Sequence, residues 1–392
     1  MKKYNYNKRK ICIVSTNRAD YGHLKNLIFD IDNNKNFTLK LIVSGSHLSK
    51  KHGYSVNEIL NDKFLITKKI KLNIDKDFSN KEIVKTLSKA LIKFDDAIKK
   101  INPDIILILG DRYEILPVAQ VALFRNIPLA HIHGGEITSG VLDEQIRHAI
   151  TKFSDIHFVA DELFAQNVLS LGENKKNIFI VGSPGCEKLD KKKYFSAKDL
   201  EKILNFKFSK KNILVTVHPQ IDRDSTDNLI KNLLEVLKDL KDTLIIFTGV
   251  NPDINSDLIS DKIKKFKKHK NFIFHNHLGQ DLYLSLAKQV DCVVGNSSSG
   301  FIELPLLKVP VVNIGERQRG RPISNNIVQS NYKKKNIHSA IKKTYSFAFK
   351  KNLKLTKSFY FKKNTTAKIL KTLKVINLKN IKIKKFNKNE NI

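Results

Sequence analysis

Between His131 and His148 the chain gathers most of the side chains that could move protons: His131, His133, Glu136, Asp143, Glu144, Arg147 and His148. They follow an apolar run, Pro128 to Ile132, which reads as a buried parallel strand, and they lead into a helical pattern from Glu144 to Phe153. A second acidic turn, Gly110-Asp111-Arg112, ends the preceding apolar run, Asp104 to Leu109. Open α/β sheets place their ligands outside the carboxyl ends of their strands, so neighbouring parallel strands would bring both turns to one rim. Imidazoles beside carboxylates perturb one another's pKa and can hold different protonation states at one pH. That is the equipment of acid–base catalysis. His131-x-His133 also raises a metal site, because alternate strand residues point to one side, with Asp111 or His148 as the third ligand. The neighbouring Gly134-Gly135 favours close approach of a substrate, and no metal is expected.

Four further turns could hold a phosphorylated ligand. Ser15 to Gly22 follows the first strand and carries Arg18, but it lacks the G-x-G-x-x-G fingerprint of dinucleotide binders. Gly295-Asn296-Ser297-Ser298-Ser299-Gly300 opens a helix after a strand. It would expose backbone N–H groups to a diphosphate, with Glu303 placed to accept ribose hydroxyls. His218-Pro219 and the cluster Arg317, Arg319, Arg321 end two more strands of the same half. Only nine of the 71 basic residues are arginine, and six of them fall inside these motifs, which in a chain that defaults to lysine points to places where a planar guanidinium fork is wanted.

The elements that must position these turns alternate. Strands are predicted at Ile11–Ser15, Leu39–Ser44, Asp104–Leu109, Pro128–Ile132, Ile156–Val159 and Ile178–Val181. After a Lys-rich hinge, Lys188 to Lys193, they resume at Asn212–Val217, Thr243–Phe247, Asn271–Phe274, Cys292–Gly295 and Val311–Ile314. Amphipathic stretches lie between them, which is βαβ rhythm. The fold class is therefore α/β, with two Rossmann-like domains and a ligand cleft between them. The first domain spans 1–187 and carries the acid–base cluster; the second spans 188–346 and binds the nucleotide. A helical segment, 347–376, closes the chain, and a basic tail, 377–392, is expected to fray.

Composition narrows the function classes. The net charge of +33 is spread over lysines in every surface segment, without aromatic–basic interleaving, so no specific nucleic-acid partner is expected. No apolar run approaches the ~18 residues of a membrane span. The polar, basic start predicts no signal peptide. Cys12, Cys186 and Cys292 are far apart and fit reduced thiols in a cytoplasmic protein.

Taken in order, Thr16 to Tyr21, Gly110-Asp111-Arg112, His131 to Glu136, Asp143 to Lys152, His218-Pro219, Asn296 to Glu303 and Asn313 to Arg321 resemble the hydrolysing UDP-N-acetylglucosamine 2-epimerases of sialic and legionaminic acid biosynthesis. The resemblance runs from about Lys10 to Arg321. It implies a glycosyltransferase-B-like fold, a homo-oligomer, and a reaction that uses no nicotinamide or other cofactor. In such enzymes UDP is eliminated across C1–C2 of UDP-N-acetylglucosamine, and water adds to the glycal to give N-acetylmannosamine. The alternative substrate is UDP-N,N′-diacetylbacillosamine, which differs by an acetamido group at C4. The resemblance places Asp111, His133, Glu136 and Asp143 in proton transfer. It places Arg18, Arg112, Arg147, His218, Asn251, Ser297, Ser298, Glu303 and Arg317 around the substrate. One branch of the family carries Glu at the position of His133. A glycosyltransferase and a non-catalytic nucleotide-sugar sensor are the competing readings, and the acidic turns beside the binding motifs disfavour both.

Overall fold

The structure is a computed structural model that describes residues 8–72, 74, 80–139, 141–220, 222–250 and 254–387. It comprises two compact units. The first contains Met1–Glu136, Asp143–Glu187 and Tyr360–Ile392; the second contains Ile137–Leu142 and Lys188–Phe359. The chain therefore visits the second unit briefly at Ile137 and returns to the first at Tyr360.

In the first unit seven parallel strands form one sheet: β1 (Arg9–Ser15), β2 (Phe37–Ser44), β3 (Ile66–Ile70), β4 (Ile105–Leu109), β5 (Leu129–Ile132), β6 (Ile156–Val159) and β7 (Ile178–Ile180). Their order is β3-β2-β1-β4-β5-β6-β7. All five residues of β4 are buried, as a strand covered by helices on both faces requires. The strand period of two divides β1 between two cores. Ile11 and Ile13 pack on one side of the sheet with Leu107, while Cys12 and Val14 pack on the other with Ile106 and Ile108.

The second unit repeats the plan with β8 (Lys211–Thr216), β9 (Thr243–Thr248), β10 (Phe272–His275), β11 (Cys292–Gly295), β12 (Val311–Ile314) and β13 (Ile327–Ser330). These are also parallel, in the order β10-β9-β8-β11-β12-β13. Strand order reverses between β1 and β4 in one sheet and between β8 and β11 in the other. Those are the two crevices where doubly wound sheets bind ligands. The sequence motifs end these same strands.

Four features differ from expectation. Strands β3 and β13 were not anticipated. Both are sheet edges, and β3 carries Lys68 and Lys69 on its exposed stretch, which hides the strand pattern. The closing helical segment is broken into Phe347–Leu353 and Thr365–Val375, in different units. The tail does not fray through Asn387. Leu378 and Ile381 join the core of the first unit, Lys382 reaches the buried Asp155 at 3.2 Å, and Lys384 reaches Glu173 at 2.8 Å. Leu378, Ile381, Lys382 and Lys384 thus have definite partners. The three cysteines are buried, and burial pushes the Cys12 and Cys292 thiols up to about 12.

Candidate active site

In the first unit the turns after β1, β4 and β5 meet. Asn17 caps the helix Arg18–Asp32, its Oδ1 accepting from the Ala19 and Asp20 amides at 2.8 and 3.0 Å. That cap fixes Arg18, half-buried, as the first helical residue. The Asp20 carboxyl accepts the Thr16 hydroxyl at 2.8 Å. Burial pushes it up to about 6, against that hydrogen bond and the charge of Arg112. Arg112, after β4, lies on the fully buried Glu114, with its Nε 3.3 Å from Oε2.

Arg147, only 1 % exposed, ties the acidic residues together. Its Nη2 donates to Asp111, and its Nη1 donates to the Glu136 carbonyl and to Glu144 Oε2, each at 2.8 Å. Burial alone would lower its pKa, but the charges of Asp111, Glu136 and Glu144 hold it above the ordinary arginine value. Expected as a substrate ligand, Arg147 is committed here to internal carboxylates, and Asp111 receives a fixed cation. Asp143 is half-buried at the start of the helix Asp143–Phe153, about one helical turn before Arg147.

Strand β5 ends at Ile132, and His133 turns into the left-handed region at φ +68°. The two histidines therefore have different partners, and the same-side pairing expected of a continuing strand is not formed. His131 donates from Nε2 to the Gly110 carbonyl at 2.7 Å and faces Thr151 Oγ1 from Nδ1 at 3.3 Å. Burial pushes its imidazole down to about 3, so it stays neutral and braces the turn before Asp111. Among the described residues no group of three or more His, Cys, Asp or Glu side chains is arranged to hold a metal ion.

His133, in contrast, sits between Glu136 and Ser183. Its Nδ1 is 3.1 Å from Glu136 Oε1 and its Nε2 is 2.9 Å from Ser183 Oγ. The ring thus faces a carboxyl on one side and a hydroxyl on the other, and the direction of the Ser183 hydrogen bond follows the tautomer of the ring. Gly135, at φ +77°, lets the turn close down, since a Cβ there would collide with the Phe164 carbonyl oxygen. The Glu136 carboxylate accepts the Tyr360 hydroxyl at 3.2 Å. His133, Glu136, Ser183 and Tyr360 are each buried.

The second unit presents its residues differently. Asn296, after β11, staples the turn after β8: its Oδ1 accepts the His218 amide at 2.7 Å and its Nδ2 donates to the His218 carbonyl at 2.8 Å. Gln318 donates to the Asn296 carbonyl at 3.0 Å, tying in the loop that follows β12. Gly295 permits the close passage of β11 over β8, where a Cβ would strike the Thr216 carbonyl oxygen. The stapled loop holds Ser297 and Ser298 half-buried before the short helix Ser299–Ile302. Ser299 is anchored to the Tyr283 hydroxyl at 2.7 Å. Glu303 follows that helix, buried, and Arg317 lies half-buried in the loop after β12. Asn251 lies outside the described residues.

The sequence profile of the family described as UDP-N-acetylglucosamine 2-epimerase matches residues 30–374. The chain belongs to that family. It is 42 % identical to the GDP/UDP-N,N′-diacetylbacillosamine 2-epimerase (hydrolyzing) of Campylobacter jejuni, across 97 % of this chain and 99 % of that one. It is 37 % identical to the polysialic acid biosynthesis protein P7 of Escherichia coli, over 80 % of each. The fold matches the crystal structure of UDP-GlcNAc 2-epimerase from Neisseria meningitidis bound to UDP-GlcNAc, with a TM-score of 0.79, 17 % identity and coverage of 93 % and 99 %. Two parallel-sheet domains of seven and six strands are thus the glycosyltransferase-B-like architecture of this epimerase family.

Three side chains of this epimerase's first unit escaped the sequence reading. Ser183 was legible only as part of a Gly-Ser-Pro-Gly turn, although a serine between those residues at a strand end was a usable signal. His23, whose ring centroid lies 5.5 Å from that of His133, looked like an ordinary helix residue. Tyr360 is more than two hundred positions from Glu136, and nothing local marks it. No helix among the described residues is long and apolar enough to cross a membrane.

Proposed function

We propose that this epimerase converts UDP-N,N′-diacetylbacillosamine and water into UDP and the free 2-epimerised sugar. The sequence alone put UDP-N-acetylglucosamine first; the order is reversed by the 42 % identity, over nearly its whole length, to an enzyme named for the diacetylbacillosamine substrate. The observation that carries the hydrolysing reaction is that same identity to an enzyme named as hydrolyzing, and two kinds of switch-point site are available for its chemistry. One is a buried acid–base network around Asp111, His133 and Glu136; the other is a stapled, serine-lined turn with Glu303 and Arg317 at hand.

In this reading a base removes the C2 proton as the C1–O bond to UDP breaks, leaving a C1=C2 glycal. Water then adds its hydroxyl to C1, and C2 regains a proton on the opposite face. A weakly acidic C–H needs a positioned base, and a departing diphosphate needs cations and N–H donors. Asp111, His133, Glu136 and Asp143 serve the proton transfers. Arg147 holds Asp111 in place. Arg18, Arg112, His218, Ser297, Ser298 and Arg317 serve the nucleotide, with Glu303 on the ribose and Asn251 among the substrate ligands.

The test is turnover of purified protein with UDP-N,N′-diacetylbacillosamine, its GDP analogue and UDP-N-acetylglucosamine, with release of nucleoside diphosphate and free sugar followed together. The expected result is simultaneous release, without added NAD, and the highest kcat/KM for UDP-N,N′-diacetylbacillosamine. A higher value for either other sugar nucleotide overturns the substrate assignment. An epimer still joined to its nucleotide overturns the hydrolysing assignment.

A further inference from the structure

Tyr360 makes contacts on both sides of His133 from a segment that no motif includes. Its hydroxyl donates to Glu136 Oε2 at 3.2 Å, while its carbonyl accepts the Ser183 amide at 2.8 Å. Those two partners are the ones that hold the His133 ring, Glu136 at Nδ1 and Ser183 at Nε2. The Tyr360 ring itself lies 6.0 Å from the His133 ring and 5.5 Å from the Phe164 ring, centroid to centroid, and the residue is fully buried. Tyr360 is also the residue at which the chain re-enters the first unit.

We propose that Tyr360 is a positioning residue for the 2-epimerase reaction: it fixes Glu136 through its hydroxyl and the Ser183 turn through its carbonyl, and so holds His133 in one orientation and one tautomer. The inference rests on the functional reading above. The physical argument is that His133 ends β5 at positive φ: its amide still donates to the Phe158 carbonyl at 3.1 Å, but the turn takes its side chain out of the strand's regular alternation. Its ring direction must come from side-chain partners. Glu136 is in a glycine-rich turn and needs an anchor of its own. A hydroxyl donated to a carboxylate also favours the charged form. The other groups facing the pair are His23, against the His133 ring, and Arg147, whose guanidinium meets the Glu136 carbonyl.

The decisive variant is Tyr360→Phe, which keeps the ring packing and removes only the hydroxyl. We expect kcat to fall by roughly 10- to 100-fold, the loss typical of a hydrogen bond to a charged group. KM should be nearly unchanged. The acid limb of the kcat–pH profile should move to higher pH, because Glu136 loses a donor that stabilised its ionised form. In a Glu136→Gln background Tyr360→Phe should add no further loss. Wild-type kcat and an unmoved acid limb in Tyr360→Phe would overturn the proposal, as would an equal loss in the Glu136→Gln background. Imidazole 15N NMR of the free protein separates this outcome from failure of the functional reading. The wild type should show His133 with its hydrogen on Nδ1 and Tyr360→Phe should show mixed tautomers, whether or not any sugar nucleotide is turned over. Identical His133 signals in both proteins would overturn the positioning role by themselves.

Discussion

The two switch points are built on the same topology and furnished in opposite ways. In the first unit the chemistry-bearing side chains hold one another: Arg147 binds Asp111, Glu144 and the Glu136 carbonyl, and Glu136 binds His133 and Tyr360. In the second unit the main chain is held instead. Asn296 fastens both the amide and the carbonyl of His218, and Gln318 fastens the Asn296 carbonyl. A proton-transfer group needs a defined charge and direction, which buried partners supply. A diphosphate cradle needs backbone donors in a fixed curve, which amide staples supply. The difference teaches which variants should affect turnover and which should affect binding.

The largest effect is expected at Asp111. Asp111→Asn keeps the shape and removes the charge, and it should lower turnover by roughly 10²- to 10⁴-fold while UDP affinity, measured by calorimetry, stays close to wild type. A fully active Asp111→Asn would show that the first unit's network is structural. Asp143→Asn should behave in the same way, with less strain on the fold, because Asp111 also balances the buried Arg147.

In the second unit the split should invert. Glu303→Ala, or Arg317→Lys, should weaken UDP binding by about 1–3 kcal/mol and leave kcat at saturating substrate nearly intact. A kcat loss as large as that of Asp111→Asn, with UDP affinity unchanged, would erase the contrast between the units.

A smaller effect sharpens the contrast within the first unit, between the bracing His131 and His133, proposed to serve proton transfer. His131 is buried and its pKa is pushed down from 6.5 to about 3. As pH falls from 6.5 towards 3 the unfolded chain takes up this proton and the native protein does not. Stability contributed by the group is therefore present above 6.5 and lost progressively through that window. The slope is about 1.4 kcal/mol per pH unit for one proton. Urea unfolding across this range should show His131→Asn with a shallower decline than wild type, whatever its absolute stability. Parallel declines would mean that His131 is already protonated in the native state.

Much of this arrangement was legible in the sequence because it is local. The turns after β1, β4, β5, β8, β11 and β12 are each continuous motifs, and an apolar run such as Ile105–Leu109 announces the strand that carries one. What could not be read is contact across distance. Arg147 looks like an available guanidinium until burial shows it enclosed by carboxylates. The orientation of His133 depends on where β5 stops and on Ser183 and Tyr360, which the sequence places far away. The edge strands β3 and β13 were hidden for a related reason: an edge has one neighbour and tolerates polar residues that blur the pattern. The basic tail read as solvated because its lysines have no local partner; Asp155 and Glu173 lie more than two hundred residues earlier.

The central claim is that the first unit's network removes and replaces the proton at C2 while the second unit retains the nucleotide that leaves. Reaction in D₂O, followed by mass spectrometry of the released sugar, tests it most directly. If C2 is deprotonated by groups that exchange with solvent and the glycal is rehydrated, the product carries one deuterium at C2. A released, epimerised sugar without deuterium would contradict the elimination, and with it the roles given to Asp111, His133, Glu136 and Asp143.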